Sequence, residues 1–105
     1  MFETEYIFEE LPVLVGTTEI AMCSGRAYLE GDIAPHDYGY RVYSIVLDGN
    51  LDGQYREKRS VEICERSSDV FCAQLFRRLA ERIESSTDAA EFFYDSARQA
   101  ASIRA

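Results

Sequence analysis

The order of apolar and polar positions changes character once along this chain, with strand-like spacing up to Cys64 and helix-like spacing beyond it. Tyr6-Ile7-Phe8 and Val13-Leu14-Val15 flank Pro12 among acidic residues, which predicts a first strand bent at the proline. Gly16-Thr17-Thr18 then turns the chain. From Glu19 to Glu30 one parity carries Ile20, Met22, Ser24, Arg26 and Tyr28, while the other carries the small or apolar set Ala21, Cys23, Gly25, Ala27 and Leu29. That second set predicts a strand lying close beneath a packed helix, antiparallel to the first, with a bulge at Gly25.

Residues 31–39, with Pro35 and His36, lack periodicity and read as a loop. Tyr40 to Leu47 predicts a third strand, with Tyr43, Ile45 and Leu47 on one face and Val42, Ser44 and Val46 on the other. Two Asp-Gly turn dipeptides follow, and Val61 to Cys64 predicts a fourth strand that Gln54 to Arg59 would extend into a long hairpin. After Cys64 the apolar positions Cys72, Leu75, Phe76, Leu79 and Ile83 oppose Arg77, Arg78, Glu81 and Arg82, which predicts a helix from Asp69 to Glu84 capped by Ser68. Ser85-Ser86-Thr87 breaks it. Asp88 and Glu91 read as a capping pair for a second helix to Ile103, whose alanines permit close packing. The expected fold is α+β: a four-stranded antiparallel sheet in the N-terminal two-thirds, with two C-terminal helices packed on one face.

Composition adds domain count. The chain has 105 residues, 47% of them hydrophobic, which suits one domain over 1–105 with a single core. Charge adds more. The net charge is -8, and residues 1–37 hold nearly all of it: Glu3, Glu5, Glu9, Glu10, Glu19, Glu30, Asp32 and Asp37 face the single base Arg26, a balance of -7. Free nucleic acid is therefore not expected as a direct partner. No apolar run approaches the roughly 18 residues of a membrane span, and the N-terminus carries acids where a signal peptide carries bases. A soluble, unexported, cytoplasmic protein with reduced thiols at Cys23, Cys64 and Cys72 is expected, with no membrane partner.

Candidate chemistry changes this picture little. Residues 48–53 match the first half of a calcium loop, but Arg59 stands where the twelfth-position carboxylate is needed, so Asp-Gly turn chemistry is the expected reading. Cys23, His36, Cys64 and Cys72 lack the short-spaced pairs of a zinc site. Cys72 with His36 as nucleophile and base defines a third-ranked enzyme reading, in which nothing orients the histidine. No phosphate-cradling loop, nucleophile elbow or metalloprotease pair is present. No catalytic residue, metal site or cofactor is assigned. The tyrosines Tyr38, Tyr40, Tyr43 and Tyr55 offer large contact areas with polar tips, and Tyr43 is expected in the core.

The single short domain, the acidic first third from Glu3 to Asp37, the strand–helix order and the lack of catalytic motifs together resemble the small acidic orphan proteins of phages and mobile elements, the anti-CRISPR proteins among them. The resemblance implies a non-enzymatic inhibitor in a bacterial host cytoplasm, whose acidic face occupies the basic nucleic-acid channel of a defence complex. Carboxylates can stand in for phosphates before Lys and Arg arranged for a polyanion. The residues expected to meet such a partner are Glu5, Glu9, Glu30, Asp32, Asp37, Tyr38 and Tyr40. A self-assembling accessory protein, forming a homodimer, is the alternative.

Overall fold

A computed structural model describes residues 2–31, 39–49 and 59–104. Four strands come first, β1 (Phe2–Val15), β2 (Thr18–Gly31), β3 (Tyr40–Gly49) and β4 (Arg59–Ile63), then two helices, α1 (Val70–Glu84) and α2 (Thr87–Arg104). The strands pair in sequence order, every neighbour antiparallel. This is the expected α+β architecture. Among the described residues, no helix is long and apolar enough to cross a membrane.

Both helices contribute to one core. Phe76, Leu79, Ala80 and Ile83 of α1 and Ala89 and Phe93 of α2 pack with Phe8 and Val13 of β1, Ala27 and Leu29 of β2, Val42 and Ile45 of β3, and Ile63 of β4. The alternation that places Ala27 and Leu29 inward sends Arg26, Tyr28 and Glu30 to the opposite face. In α2 the fully buried Ala89, Phe93 and Ala97 recur every fourth residue, so small side chains flank one large ring on the inward stripe.

Irregularities in the ladder decide which side chain faces which way. Phe8 pairs with Gly25 and Leu11 with Cys23, so Glu9 and Glu10 together oppose Ser24. Glu10 takes a φ of 51°, and its N–H donates to Ser24 Oγ at 3.0 Å. The strand therefore bulges at Glu9–Glu10 and not at Pro12, which pairs in the ladder with Met22. The bulge also lies across from β2, not at Gly25. There the requirement is space, since a Cβ on Gly25 would collide with the Val46 carbonyl. A shift between β2 and β3 pairs Tyr28 with Ser44 and Leu29 with Val42, leaving Tyr43 as the extra residue. This corrects the expected faces of β3: Val42, Ile45 and Leu47 turn to the core, and Tyr43 does not.

The β1–β2 hairpin closes through Gly16 and Thr17, with Gly16 at φ 64° and Val15 paired to Thr18. The cap of α1 is Asp69 instead of Ser68: its carboxylate accepts the N–H of Phe71 at 2.8 Å and of Cys72 at 3.4 Å. A carboxylate caps better placed here than inside the first turn, because it meets the orphan amides directly. At the start of α2, Ser86 Oγ accepts from Ala89 N at 3.3 Å, so Ser86 takes the part expected of the Asp88–Glu91 pair. The proposed extension of the fourth strand over residues 54–58, most of the 48–53 loop and His36 lie outside the described residues.

Candidate functional site

Two helices cover one face of a four-stranded sheet, so the other face presents its side chains outward. The register defines the rows of that open face. Glu3 stands beside Glu30 and Arg41, Glu5 beside Tyr28 and Ser44, Ile7 beside Arg26, Val46 and Glu62, and Asp48 beside Ser60. Neighbours along a strand on this face repeat at about 6.7 Å, and neighbours across strands at about 4.8 Å, so the carboxylates form a two-dimensional array. Glu9, exposed and one residue beyond the buried Phe8, is the first residue of the bulge and ends the β1 row.

Part of this charge is internally compensated. Arg41 Nε donates to Glu30 Oε1 at 2.7 Å, and Arg26 lies 3.7 Å from Glu5. These exposed pairs contribute about 0.2–1 kcal/mol each and are weakened by salt. Glu3, Glu9, Asp48 and Glu62 form no ion pair with another described residue, so the face keeps a negative excess.

Aromatic rings sit among these acids. Tyr28 and Tyr43 tilt against each other with ring centroids 6.2 Å apart. Burial raises the Tyr43 phenol above its ordinary value, and Glu3, Glu30 and Tyr28 add to the effect, because each disfavours a phenolate beside it. Below them Ser44, only 7% exposed, donates its hydroxyl to Glu62 Oε1 at 3.2 Å. Tyr28, Tyr43, Ser44, Val46, Glu62 and Cys64 together line a shallow depression in the sheet.

The expected partner-binding residues separate. Glu5, Glu9 and Glu30 share the open face, as the parity of β1 and β2 implies. Asp32, Asp37 and Tyr38 lie outside the described residues. Tyr40 is on the other side of the sheet, with its ring stacked on Phe93 and its hydroxyl donating to Ile83 O at 3.0 Å. It therefore supports the core and does not join the acidic rows. Glu62 was missed, although its alternation with Val61 and Ile63 already marked it as outward. Tyr43 could not have been found, because its orientation depends on the bulge.

Elsewhere, Leu11, Val13 and Leu14 of the outer hairpin face Arg78, Glu81 and Arg82 of α1 across an open groove, and Arg78 donates to Leu14 O at 3.0 Å. The three cysteines carry free thiols, each half-buried, and burial pushes the Cys23 thiol up. Ser67 Oγ donates toward Cys64 Sγ at 3.8 Å. Among the described residues, no group of three His, Cys, Asp or Glu side chains could hold a metal ion.

The molecule is thus an α+β domain with one helix-covered and one open, acidic and tyrosine-bearing sheet face. Comparison with family models, with curated proteins and with solved structures finds no match.

Proposed function

We propose that this domain is a non-enzymatic interaction protein whose open sheet face docks on the basic, nucleic-acid-binding surface of a protein partner and competes there with nucleic acid. The observation that carries this reading is the gathering of Glu3, Glu5, Glu9, Glu30 and Glu62 on one exposed sheet face around two tyrosines. A rigid sheet holds the carboxylates at fixed spacings, so little ordering entropy is lost when a complementary basic surface arrives. The negative field also speeds encounter with such a surface. An inhibitor of a host nucleic-acid-handling defence complex, of the phage and mobile-element kind, is the form of this function that the sequence resemblance favours.

The test uses carboxylates that form no ion pair with another described residue. A Glu3→Lys/Glu9→Lys variant should keep the wild-type circular dichroism, since exposed charges contribute little to stability. Partners captured from a bacterial lysate by the wild-type protein at low salt should be lost both at high salt and with the variant. Purified partner should also release bound DNA or RNA as the wild-type protein is added. A partner held equally by the variant, or one indifferent to nucleic acid, would overturn the reading.

A second reading, self-assembly, rests on a separate observation. Ile20 and Met22, each 58% exposed, lie on β2 beyond the Gly25–Leu47 pair where its described ladder with β3 ends. Sedimentation equilibrium of the wild-type protein against Ile20→Lys/Met22→Lys decides it: a dimer abolished by the variant supports self-assembly, and a monomer at all concentrations excludes it.

A further inference from the structure

The depression between Tyr28, Tyr43 and Glu62 has a composition that the array of acids around it does not share. Its lining combines the rings of Tyr28 and Tyr43 with Ser44, Val46 and Cys64, and Glu62 is the one carboxylate among these residues. That carboxylate is aimed, because the nearly buried Ser44 hydroxyl ties Glu62 Oε1 at 3.2 Å and leaves Oε2 and the remaining lone pairs available. Arg26, in the same row as Val46 and Glu62, is engaged 3.7 Å from Glu5 and does not line the depression.

We infer that this depression is the anchor site for one arginine side chain of the partner, with the guanidinium against the tyrosine rings and forked onto Glu62. The inference rests on the acidic-face reading of the function and names the group that this face selects. Arginine fits better than lysine on chemical grounds. Its planar guanidinium stacks on a ring and donates two parallel hydrogen bonds to a carboxylate, whereas an ammonium is a more strongly hydrated point charge. The aliphatic stem would lie along Val46 and the ring edges. Glu3, close enough to raise the Tyr43 phenol and in no ion pair with another described residue, adds a negative potential that holds a cation at the rings.

Hexa-arginine and hexa-lysine peptides separate this anchor from general attraction. Titrated into the full chain at low salt, with the tyrosine ring resonances followed by NMR, both should bind, and hexa-arginine should bind about fivefold more tightly or better. Tyr28→Leu and Glu62→Gln should each bring the two affinities together while leaving salt-dependent binding of both peptides. Tyr28→Phe, which keeps the ring, should retain the preference, and Glu62→Gln, at an exposed position, controls for loss of fold. Equal wild-type affinities, or a preference that survives Tyr28→Leu and Glu62→Gln, would overturn the anchor and leave the acidic-face reading standing. If neither peptide binds, both fall.

Discussion

Tyr40 and Phe93 stack with ring centroids 5.2 Å apart and an interplanar angle of 23°, tying the first residue of β3 to the centre of α2. The Tyr40 hydroxyl reaches past that ring to the Ile83 carbonyl at the end of α1, so one side chain joins a strand and both helices. Replacing it by Phe should keep the stack and lose the hydrogen bond, costing about 1 kcal/mol in urea denaturation. Phe93→Ala, which empties a fully buried site, should cost about 3–5 kcal/mol. If Tyr40→Phe costs as much as Phe93→Ala, the hydroxyl has been undervalued.

Glu10 is the one described non-glycine residue with positive φ, and the conformation is expensive for a side chain with a Cβ. Glu10→Gly should therefore stabilise the fold by about 0.5–1 kcal/mol, the reverse of the usual effect of glycine in a strand. A loss of stability would show that the Glu10 side chain contributes more than its backbone conformation costs.

Gly25 gives the opposite sign. A methyl group there meets the Val46 carbonyl on the neighbouring strand, and backbone cannot swing aside as a side chain can. Gly25→Ala should destabilise by about 2–3 kcal/mol, with the midpoint of denaturation shifted and its slope unchanged.

Asp69 caps α1 through two backbone amides. Asp69→Ala should cost about 1 kcal/mol, and Asp69→Asn or Asp69→Ser should recover most of that. Ser68→Ala should be nearly silent, which distinguishes the two candidates directly.

Alkaline pH should weaken the fold. The Cys23 thiol is raised from 9.0 by burial; Tyr40 is raised from 10.0 first by burial and then by Glu84 and Tyr6; Tyr43 is raised from 10.0 by burial, Glu3, Glu30 and Tyr28. Each group holds its proton more tightly in the folded chain than in the unfolded one. Stability is therefore fully present below the unfolded values and falls as pH rises past about 9 for the thiol and about 10 for the phenols. Urea midpoints measured from pH 8 to 11 should decline, and the Tyr40→Phe/Tyr43→Phe protein should decline less steeply. Equal slopes would remove the phenols from the account.

Much of the fold was legible because the periodicities were clean where the ladder is regular. Ala27 and Leu29 opposite Arg26 and Tyr28, and Phe76, Leu79 and Ile83 opposite Arg77, Arg78 and Arg82, each identify an element and its inward face. Position of the acids was legible for the same reason along Glu3, Glu5 and Glu9. Orientation failed where a residue was inserted into a strand. Tyr43 changed sides at a register shift that the sequence does not mark, since nothing in Val42-Tyr43-Ser44 distinguishes a bulge from continued alternation. Tyr40 failed differently. Its preference for the core depends on Phe93, more than fifty positions away, and only the packing of α2 brings the two together.

The Glu9–Glu10 bulge gives the chain a phase as well as a bend. Before it, even-numbered residues such as Phe8 point toward the helices; after it, odd-numbered residues such as Leu11 and Val13 do. Loss of the single codon for Glu10 would therefore leave Phe8, Glu9 and Leu11 opposite Gly25, Ser24 and Cys23 in plain alternation, with Phe8, Leu11 and Val13 still beneath the helices. Loss of the codon for Ile7, on the regular stretch before it, would instead turn Glu3 and Glu5 inward to keep Phe8 in place. The bulge is thus the one point on this half of the strand where the number of residues can fall by one without reversing its faces.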